Sequence, residues 1–156
     1  MRYTVNRVSF LKGETEVAPD KSISHRTVIL SALSPGLSRV SNFLQAEDTQ
    51  ATCRCLQSLG LDIEQRDQEM LIKSPGINDL EEPEMVLDCG NSGTTMRLLA
   101  GLLAGRPFTA ILSGDSSLNK RPMGRVMKPL AMMGAHFMAR QDSFPPLAIQ
   151  GGICTG

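Results

Sequence analysis

Apolar and polar positions along this chain fall into a pattern that occurs twice. The polar turn at Pro19–Ser22 leads into an apolar-periodic stretch ending at Ser34, Pro35 and Gly36, and the turn DCGNSG leads into TTMRLLAGLLAG, ending at Gly105. Both read as helices with a polar start and a glycine stop. A short strand follows each, Leu37–Phe43 or Phe108–Leu112, and then a second helix closing on LQSLG at Gly60 or LAMMG at Gly134. Two further strands come next: Asp62–Gln65 and Met70–Lys73 turned by Asp67 and Gln68, or His136–Arg140 and Leu147–Gln150 turned around Asp142 and Ser143. Residues 19–87 can therefore be laid over 88–156, a β-α-β-α-β-β unit recurring about every seventy residues. The fold class is α/β, in the α+β sense, with two units packing their helices together beneath sheets. Pro129 interrupts the last helical pattern and is expected near its first turn, where a missing N–H matters least. Residues 1–18 lie outside the repeat; Thr4–Phe10 alternates as a strand would.

Length and composition narrow the possibilities. At 156 residues the chain has the size of one domain, and 41% hydrophobic residues with balanced charge exclude disorder. Sixteen basic residues face sixteen acidic ones, and aromatics make up 4% with no Trp, so neither a general nucleic-acid grip nor a base-stacking platform is expected. No apolar run is long enough to span a membrane and MRYTVNRVSF carries no signal-peptide core, so the expected setting is cytoplasmic. Cys53, Cys55, Cys89 and Cys154 form no CxxC pair, Cys53 and Cys55 would face different sides of a helix, and only His25 and His136 could assist. Free thiols are expected, with no metal site and no cofactor.

The charges sit in unusual places. A helix N-terminus is already positive, so a cation there is unfavourable unless an anion comes between. Lys21 and Arg26 flank the first helix start with Ser22 and Ser24; Arg97 lies in the turn opened by Asn91, Ser92, Gly93 and Thr94; Lys120, Arg121 and Arg125 cluster before the fourth helix, with no carboxylate between Ser116 and Met127. Each alone reads as solvated charge; three at equivalent corners of a repeat suggest anion binding. In CGNSGTT, Gly90 and Gly93 permit close backbone approach while Asn91, Thr94 and Thr95 supply donors, although the motif is neither GxxxxGK[ST] nor GxGxxG, and as a bare turn it reads as a cap. Asp115 and Asp48 read as caps. His25 reads as an orienting or packing residue, and Met96, Met123, Met127, Met132, Met133 and Met138 as core filling. No Ser-His-Asp set or carboxylate pair emerges.

Three motifs in order, PDKSISHR, LDCGNSGTTMR and GDSSLNKRPMGRVMKPL, resemble those of the 5-enolpyruvylshikimate-3-phosphate synthase family. The resemblance runs from the first strand to PPLAIQGG and represents about the first third of a family member. It implies an enolpyruvyl transferase fold, an inside-out α/β barrel of two halves built from such units, of which about two are present here. It implies an enzyme of the shikimate pathway, and so of aromatic amino acid biosynthesis, that transfers the enolpyruvyl group of phosphoenolpyruvate to the 5-hydroxyl of shikimate 3-phosphate and releases phosphate through a tetrahedral intermediate. By motif position Lys21, Ser22 and Arg26 resemble the shikimate 3-phosphate contacts, with Lys21 also reaching phosphoenolpyruvate. Gly93 and Arg121 resemble its other phosphoenolpyruvate contacts, with Asn91, Thr94 and Arg97 shaping the same loop. Gly93 is expected to keep space for the inhibitor glyphosate.

The departures set further expectations. Asp20 stands where the family more often has a small residue, and is expected to lower the local positive potential. The family's catalytic carboxylates and second half lie beyond Gly156, so the catalytic residues are not among these positions, the site is expected to be incomplete, and 1–18 would belong with the missing half as an unpaired strand. The missing portion is one expected partner, beside the two small-molecule substrates. Two other readings compete: UDP-N-acetylglucosamine enolpyruvyl transferase, whose typical asparagine after the lysine is here Ser22, and a non-catalytic anion-binding fragment.

Overall fold

A computed structural model of the chain describes residues 2–66 and 69–152. Helix α1 spans Lys21–Leu33, strand β1 Gly36–Ser41, α2 Glu47–Gln57, β2 Asp62–Arg66 and β3 Glu69–Ser74. After a 3-10 turn at Ile77–Asp79 come β4 Leu87–Asp88, α3 Gly93–Ala104 and β5 Thr109–Ser113. A second 3-10 turn, Leu118–Lys120, leads to α4 Gly124–Met132, β6 His136–Arg140 and β7 Phe144–Gln150. The turn residues Asp67 and Gln68, and Cys154, lie outside the described residues.

The repeat is visible in the sheets. One sheet has the order β1-β3-β2, all antiparallel; the other has β4-β5-β7-β6, in which β5-β7-β6 reproduces the first arrangement. The helix stops match as well. Gly60 and Gly134 take positive φ after α2 and α4, and the next residue's N–H reaches back to the last turn, Leu61 to the Leu56 carbonyl at 3.2 Å and Ala135 to Leu130 at 3.1 Å. Such 6→1 closures need a residue that tolerates the left-handed region, which is why both units read LxxxG there.

Strand β4 decides where the chemistry lies. It pairs parallel with β5, Leu87 opposite Leu112 and Asp88 opposite Ser113, with α3 as the crossover between them. Parallel neighbours end on the same side, so the loops after β4 and β5 run next to each other. The Cys89 N–H donates to the Ser113 carbonyl at 2.8 Å and the Asp115 N–H to the Gly90 carbonyl at 2.9 Å. A Cβ at position 114 would lie 2.3 Å from the Gly90 carbonyl oxygen, a contact only glycine avoids.

The core joins the helices to both sheets: Val28, Leu56, Leu59, Met96, Leu99 and Leu103 meet Ile72, Leu112, Leu147 and Ile149. Helix α2 is covered on more than one side, so Cys53 and Cys55 are both buried although they point apart. Cys53, Cys55 and Cys89 are free thiols. Burial pushes the Cys53 thiol up to about 11, and the Cys55 contact followed by burial pushes Cys89 up as well, so neither is a nucleophile near neutral pH. No helix among the described residues is long and apolar enough to cross a membrane.

Several expectations are corrected. Thr4–Phe10 pairs with no sheet edge among the described residues, and Val5 and Phe10 stand 92% and 75% exposed. Among the described residues no strand precedes α1; Val17 is held beside the end of β1 by the Asn42 amide, which donates to its carbonyl at 3.1 Å. Pro129 is not in the first turn, because α4 already begins at Gly124 on backbone bonds to the Met123 carbonyl. Asp48 is not a cap: Ala46 occupies that position and the Thr49 hydroxyl accepts its N–H at 3.1 Å, leaving Asp48 in the first helical turn. Met96, Met123 and Met127 fill the core as expected, whereas Met132 and Met138 are 88% and 77% exposed and Met133 is partly so, since α4's end and the outer face of β6 are uncovered. Positive φ angles place the β6–β7 turn on Gln141 and Asp142, one residue earlier than read, and β7 starts three residues earlier, at Phe144, accepting prolines where a strand begins.

Candidate functional site

Helix α3 starts where the β4 and β5 loops meet. Ser92 is its N-cap, accepting from the Thr95 N–H at 3.1 Å. No acidic residue lies in the first turn of α1, α3 or α4, and the caps of α3 and α4, Ser92 and Met123, carry no charge, so nothing intrinsic neutralises those two helix ends. Buried Gly93 is overlooked by two guanidinium groups: a Cβ there would stand 2.6 Å from Arg97 Nη1 and 3.5 Å from Arg121 Nη1. Arg97 donates to the Gly93 carbonyl at 3.2 Å, and Arg121 donates to Asn91 Oδ1 at 2.5 Å. Asn91, Gly93 and Arg97, read from the sequence at one turn, and Arg121, read before the fourth helix and joined to Gly93 by the resemblance alone, are thus one cluster, with Thr94 exposed on the same turn of α3.

The cluster opens into a cleft of about 600 Å³ lined by Arg97, Arg121, Arg125, Lys128, Gly124, Pro122 and Ser143, and by no carboxylate. Lys128 is a cation the motif reading missed; its spacing of three from Arg125 on α4 is the signal that could have found it. A larger cleft, about 770 Å³, lies by the end of β1 and is lined by Glu16 and Glu69 with no lysine or arginine, which makes it a poor home for a polyanion.

The α1 residues stand on the neighbouring helix. Asp20 caps α1, its Oδ1 accepting from the Ile23 N–H at 2.7 Å, so this carboxylate takes up one of the free donors at the helix start. Lys21, Ser22 and Arg26 are exposed; Arg26 Nε donates to the Ser22 carbonyl at 3.2 Å, and Lys21 forms an ion pair with Asp48. They reach the α3 group through intermediaries. The Thr95 hydroxyl donates to the Asp48 carbonyl at 3.2 Å, and a buried polar line runs from His25 Nδ1 to the Thr52 hydroxyl at 2.8 Å, on to Thr95 Oγ1 at 2.7 Å and to Ser92 Oγ at 2.7 Å. His25 is almost fully buried and Nε2 has no hydrogen-bond partner. Burial holds its pKa below the ordinary value, Lys21 adding to the effect and Asp48 opposing it, so the imidazole is neutral near pH 7. It packs and orients; it is not a charged ligand.

Asp115 does more than the expected capping. Its Oδ1 accepts the Leu118 N–H at 2.7 Å, and its Oδ2 accepts Asn91 Nδ2 at 2.6 Å. The Leu118 N–H and then the Asn91 amide hold this carboxyl below the usual carboxylate range, with Arg121 contributing. No group of three or more histidine, cysteine or carboxylate side chains suited to a metal ion occurs among the described residues. The arrangement offers fixed positive charge and helix-end N–H groups, which suits phosphate or carboxylate ligands.

A family model described as EPSP synthase (3-phosphoshikimate 1-carboxyvinyltransferase) matches residues 5–156. The chain is 54% identical over 157 residues to a protein named 3-phosphoshikimate 1-carboxyvinyltransferase from Syntrophomonas wolfei, covering 100% of this chain and 37% of that protein. A protein of the same name from Desulforamulus reducens is 51% identical over 154 residues, which cover 97% of this chain and 36% of the relative. The chain thus spans a little over a third of the length of these relatives. A solved structure of EPSP synthase from Acinetobacter baumannii superposes with a TM-score of 0.84 at 41% identity, over 90% of this chain and 32% of that one.

Proposed function

The chain belongs to the EPSP synthase family, and we propose that it supplies the part of an enolpyruvyl transferase site that holds two polyanions, phosphoenolpyruvate and shikimate 3-phosphate. In that reaction the 5-hydroxyl of shikimate 3-phosphate gives up its proton and adds to C2 of phosphoenolpyruvate while C3 gains a proton, and the tetrahedral adduct then expels phosphate as C3 loses a proton and the double bond re-forms. Lys21, Ser22 and Arg26 take the shikimate phosphate at the start of α1. Arg121, the Gly93 backbone and the α3 N-terminus take the phosphoenolpyruvate anion, with Asn91, Thr94 and Arg97 shaping the loop. Lys21 serves both, once an incoming anion displaces its pairing with Asp48.

The observation that carries this reading is the convergence of Arg97 and Arg121 on Gly93 at a helix start free of acidic residues. A leaving phosphate gains charge as its bond to carbon breaks, and cations already in place stabilise that charge without reorganisation. Removal of one such contact is worth about a hundredfold to a thousandfold in rate in comparable electrostatic sites. The side chains gathered here bind and orient, and none is placed as the general acid or base; the transfer therefore calls for the rest of a relative's length as a partner. The same reading keeps 19–87 and 88–156 as repeated units and a cytoplasmic setting.

Phosphate release from shikimate 3-phosphate plus phosphoenolpyruvate, measured on this chain beside Arg121→Ala, tests the division of labour. No turnover, with both anions still bound by the parent chain and binding weakened in Arg121→Ala, is expected. Turnover that disappears in the variant would show the chemistry complete in this chain or its oligomer; binding unaffected by Arg121→Ala would remove Arg121 from the site.

A further inference from the structure

Asn91 is a small relay between the Asp115 carboxylate and the Arg121 guanidinium. A carboxylate can only accept, so Oδ2 of Asp115 obliges Asn91 to turn its amide nitrogen toward it, at 2.6 Å. That leaves Asn91 Oδ1 facing away, where Arg121 donates to it at 2.5 Å. The acceptor end is anchored three times: the Asp115 N–H donates to the Gly90 carbonyl at 2.9 Å, its Oδ1 caps Leu118 at 2.7 Å, and its carbonyl accepts the Asn119 N–H at 2.9 Å. The same 3-10 turn returns to the target, because the Arg121 N–H donates to the Leu118 carbonyl at 2.9 Å. Backbone and side chain of Arg121 are thus both referred to Asp115.

We infer that Asp115 is the positioning residue for Arg121, acting through the Asn91 amide to aim the guanidinium at Gly93 before an anion arrives. A free arginine must give up rotamer freedom on binding, whereas a guanidinium already held loses less. The one-amide separation also matters: Asp115 orders Arg121 without occupying the position an anion needs, in contrast to Asp48, which pairs directly with Lys21. The inference rests on the reading of Arg121 as an anion contact only for its effect on binding; the relay itself can be observed without ligand.

The test is Asp115→Asn. The new amide has one acceptor oxygen where the carboxylate had two; kept on the Leu118 N–H, it turns an NH2 toward the Asn91 NH2, donor against donor, and the relay is lost. The first readout is the set of Arg121 Nη–H resonances in ¹⁵N-edited NMR of the ligand-free chain at low temperature. They are expected to be resolved in the parent chain, averaged in Asp115→Asn, and resolved again in Asn91→Asp combined with Asp115→Asn, where an amide at 115 can donate to a carboxylate at 91 that still accepts from Arg121. A pure capping role predicts Arg121 signals unchanged in Asp115→Asn, whose side-chain oxygen can still cap the Leu118 N–H. The second readout is phosphoenolpyruvate affinity, expected to fall about tenfold in Asp115→Asn and to stay low in the double variant, whose carboxylate now sits against Arg121. Averaged Arg121 signals in the parent chain, signals unchanged in Asp115→Asn, or no recovery in the double variant would each overturn the inference. The full NMR pattern without phosphoenolpyruvate binding by the parent chain would uphold the relay and instead remove the anion-contact role of Arg121.

Discussion

Replacing Thr52 with valine tests the buried line that ties the three helices together. The two side chains have nearly the same shape, so packing is kept and only the hydroxyl is lost. Thr95 retains Ser92 and the Asp48 carbonyl as partners. His25 does not: its Nδ1 loses Thr52, and its Nε2 already has no partner. A buried polar atom left without a partner costs about 1–3 kcal/mol, and the lost Thr52–Thr95 bond adds about 1 kcal/mol. The expected loss is therefore about 2–4 kcal/mol, or roughly 5–15 °C in melting midpoint for a chain of this length. Thr52→Ser keeps the hydroxyl and gives up one methyl group, at about 1 kcal/mol. Urea unfolding of both variants, with an unchanged slope, gives the comparison. Serine should be the milder substitution at a fully buried position, the reverse of the hydrophobic order. A valine variant as stable as the serine variant would refute the hydrogen-bonded line and leave these residues as ordinary packing.

Burial disfavours protonated His25, so the unfolded chain takes up a proton near pH 6.5 while the folded one stays neutral; stability should be complete above about pH 6.5 and decline below it by at most about 1.4 kcal/mol per pH unit. That slope should flatten in His25→Gln between about pH 6.5 and 5, above the range in which the paired carboxyls Glu64 and Asp115 titrate, and an unchanged slope would assign it elsewhere. Gly93→Ala meets the far end of a flexible side chain, Arg97 Nη1 at 2.6 Å, so stability should change by less than about 1 kcal/mol while phosphoenolpyruvate and glyphosate binding weaken, as calorimetry can show. Gly114→Ala meets backbone instead, the Gly90 carbonyl at 2.3 Å, and should lose about 1–3 kcal/mol or more in urea unfolding; near-parent stability would mean the two loops can part freely. Asp48→Asn removes a partly exposed ion pair worth about 0–1 kcal/mol, so unfolding should barely shift while inorganic phosphate binds a few-fold more tightly; weaker binding would make Asp48 a support for Lys21 and not a competitor.

Much of this molecule is local and therefore readable along the chain. Helix starts at Asp20 and Ser92, stops at Gly60 and Gly134, and the two-fold recurrence of elements depend on neighbours within a few residues, where spacing and capping chemistry act directly. The cations at helix starts were legible for the same reason, as was the cap role of Asp115. What failed shows the limit. Thr49 and not Asp48 serves the start of α2, because which of two neighbouring polar residues turns back to the free N–H depends on where the chain enters the helix. Met132 and Met138 have the chemistry of core residues but stand on faces that nothing among the described residues covers.

The tertiary structure alone decided which distant groups meet. Parallel pairing of β4 with β5 brings Asn91 to Asp115 across 24 residues and Arg121 to Asn91 across 30. Helix packing brings His25 to Thr52 across 27 and Thr52 to Thr95 across 43. No periodicity encodes such pairs, because they depend on strand order and on how helices cross. The residue types able to bind anions were thus written into the sequence one helix start at a time; their assembly into one cluster, held from behind by Asp115 and by a buried histidine, exists only once the β4 and β5 loops lie side by side.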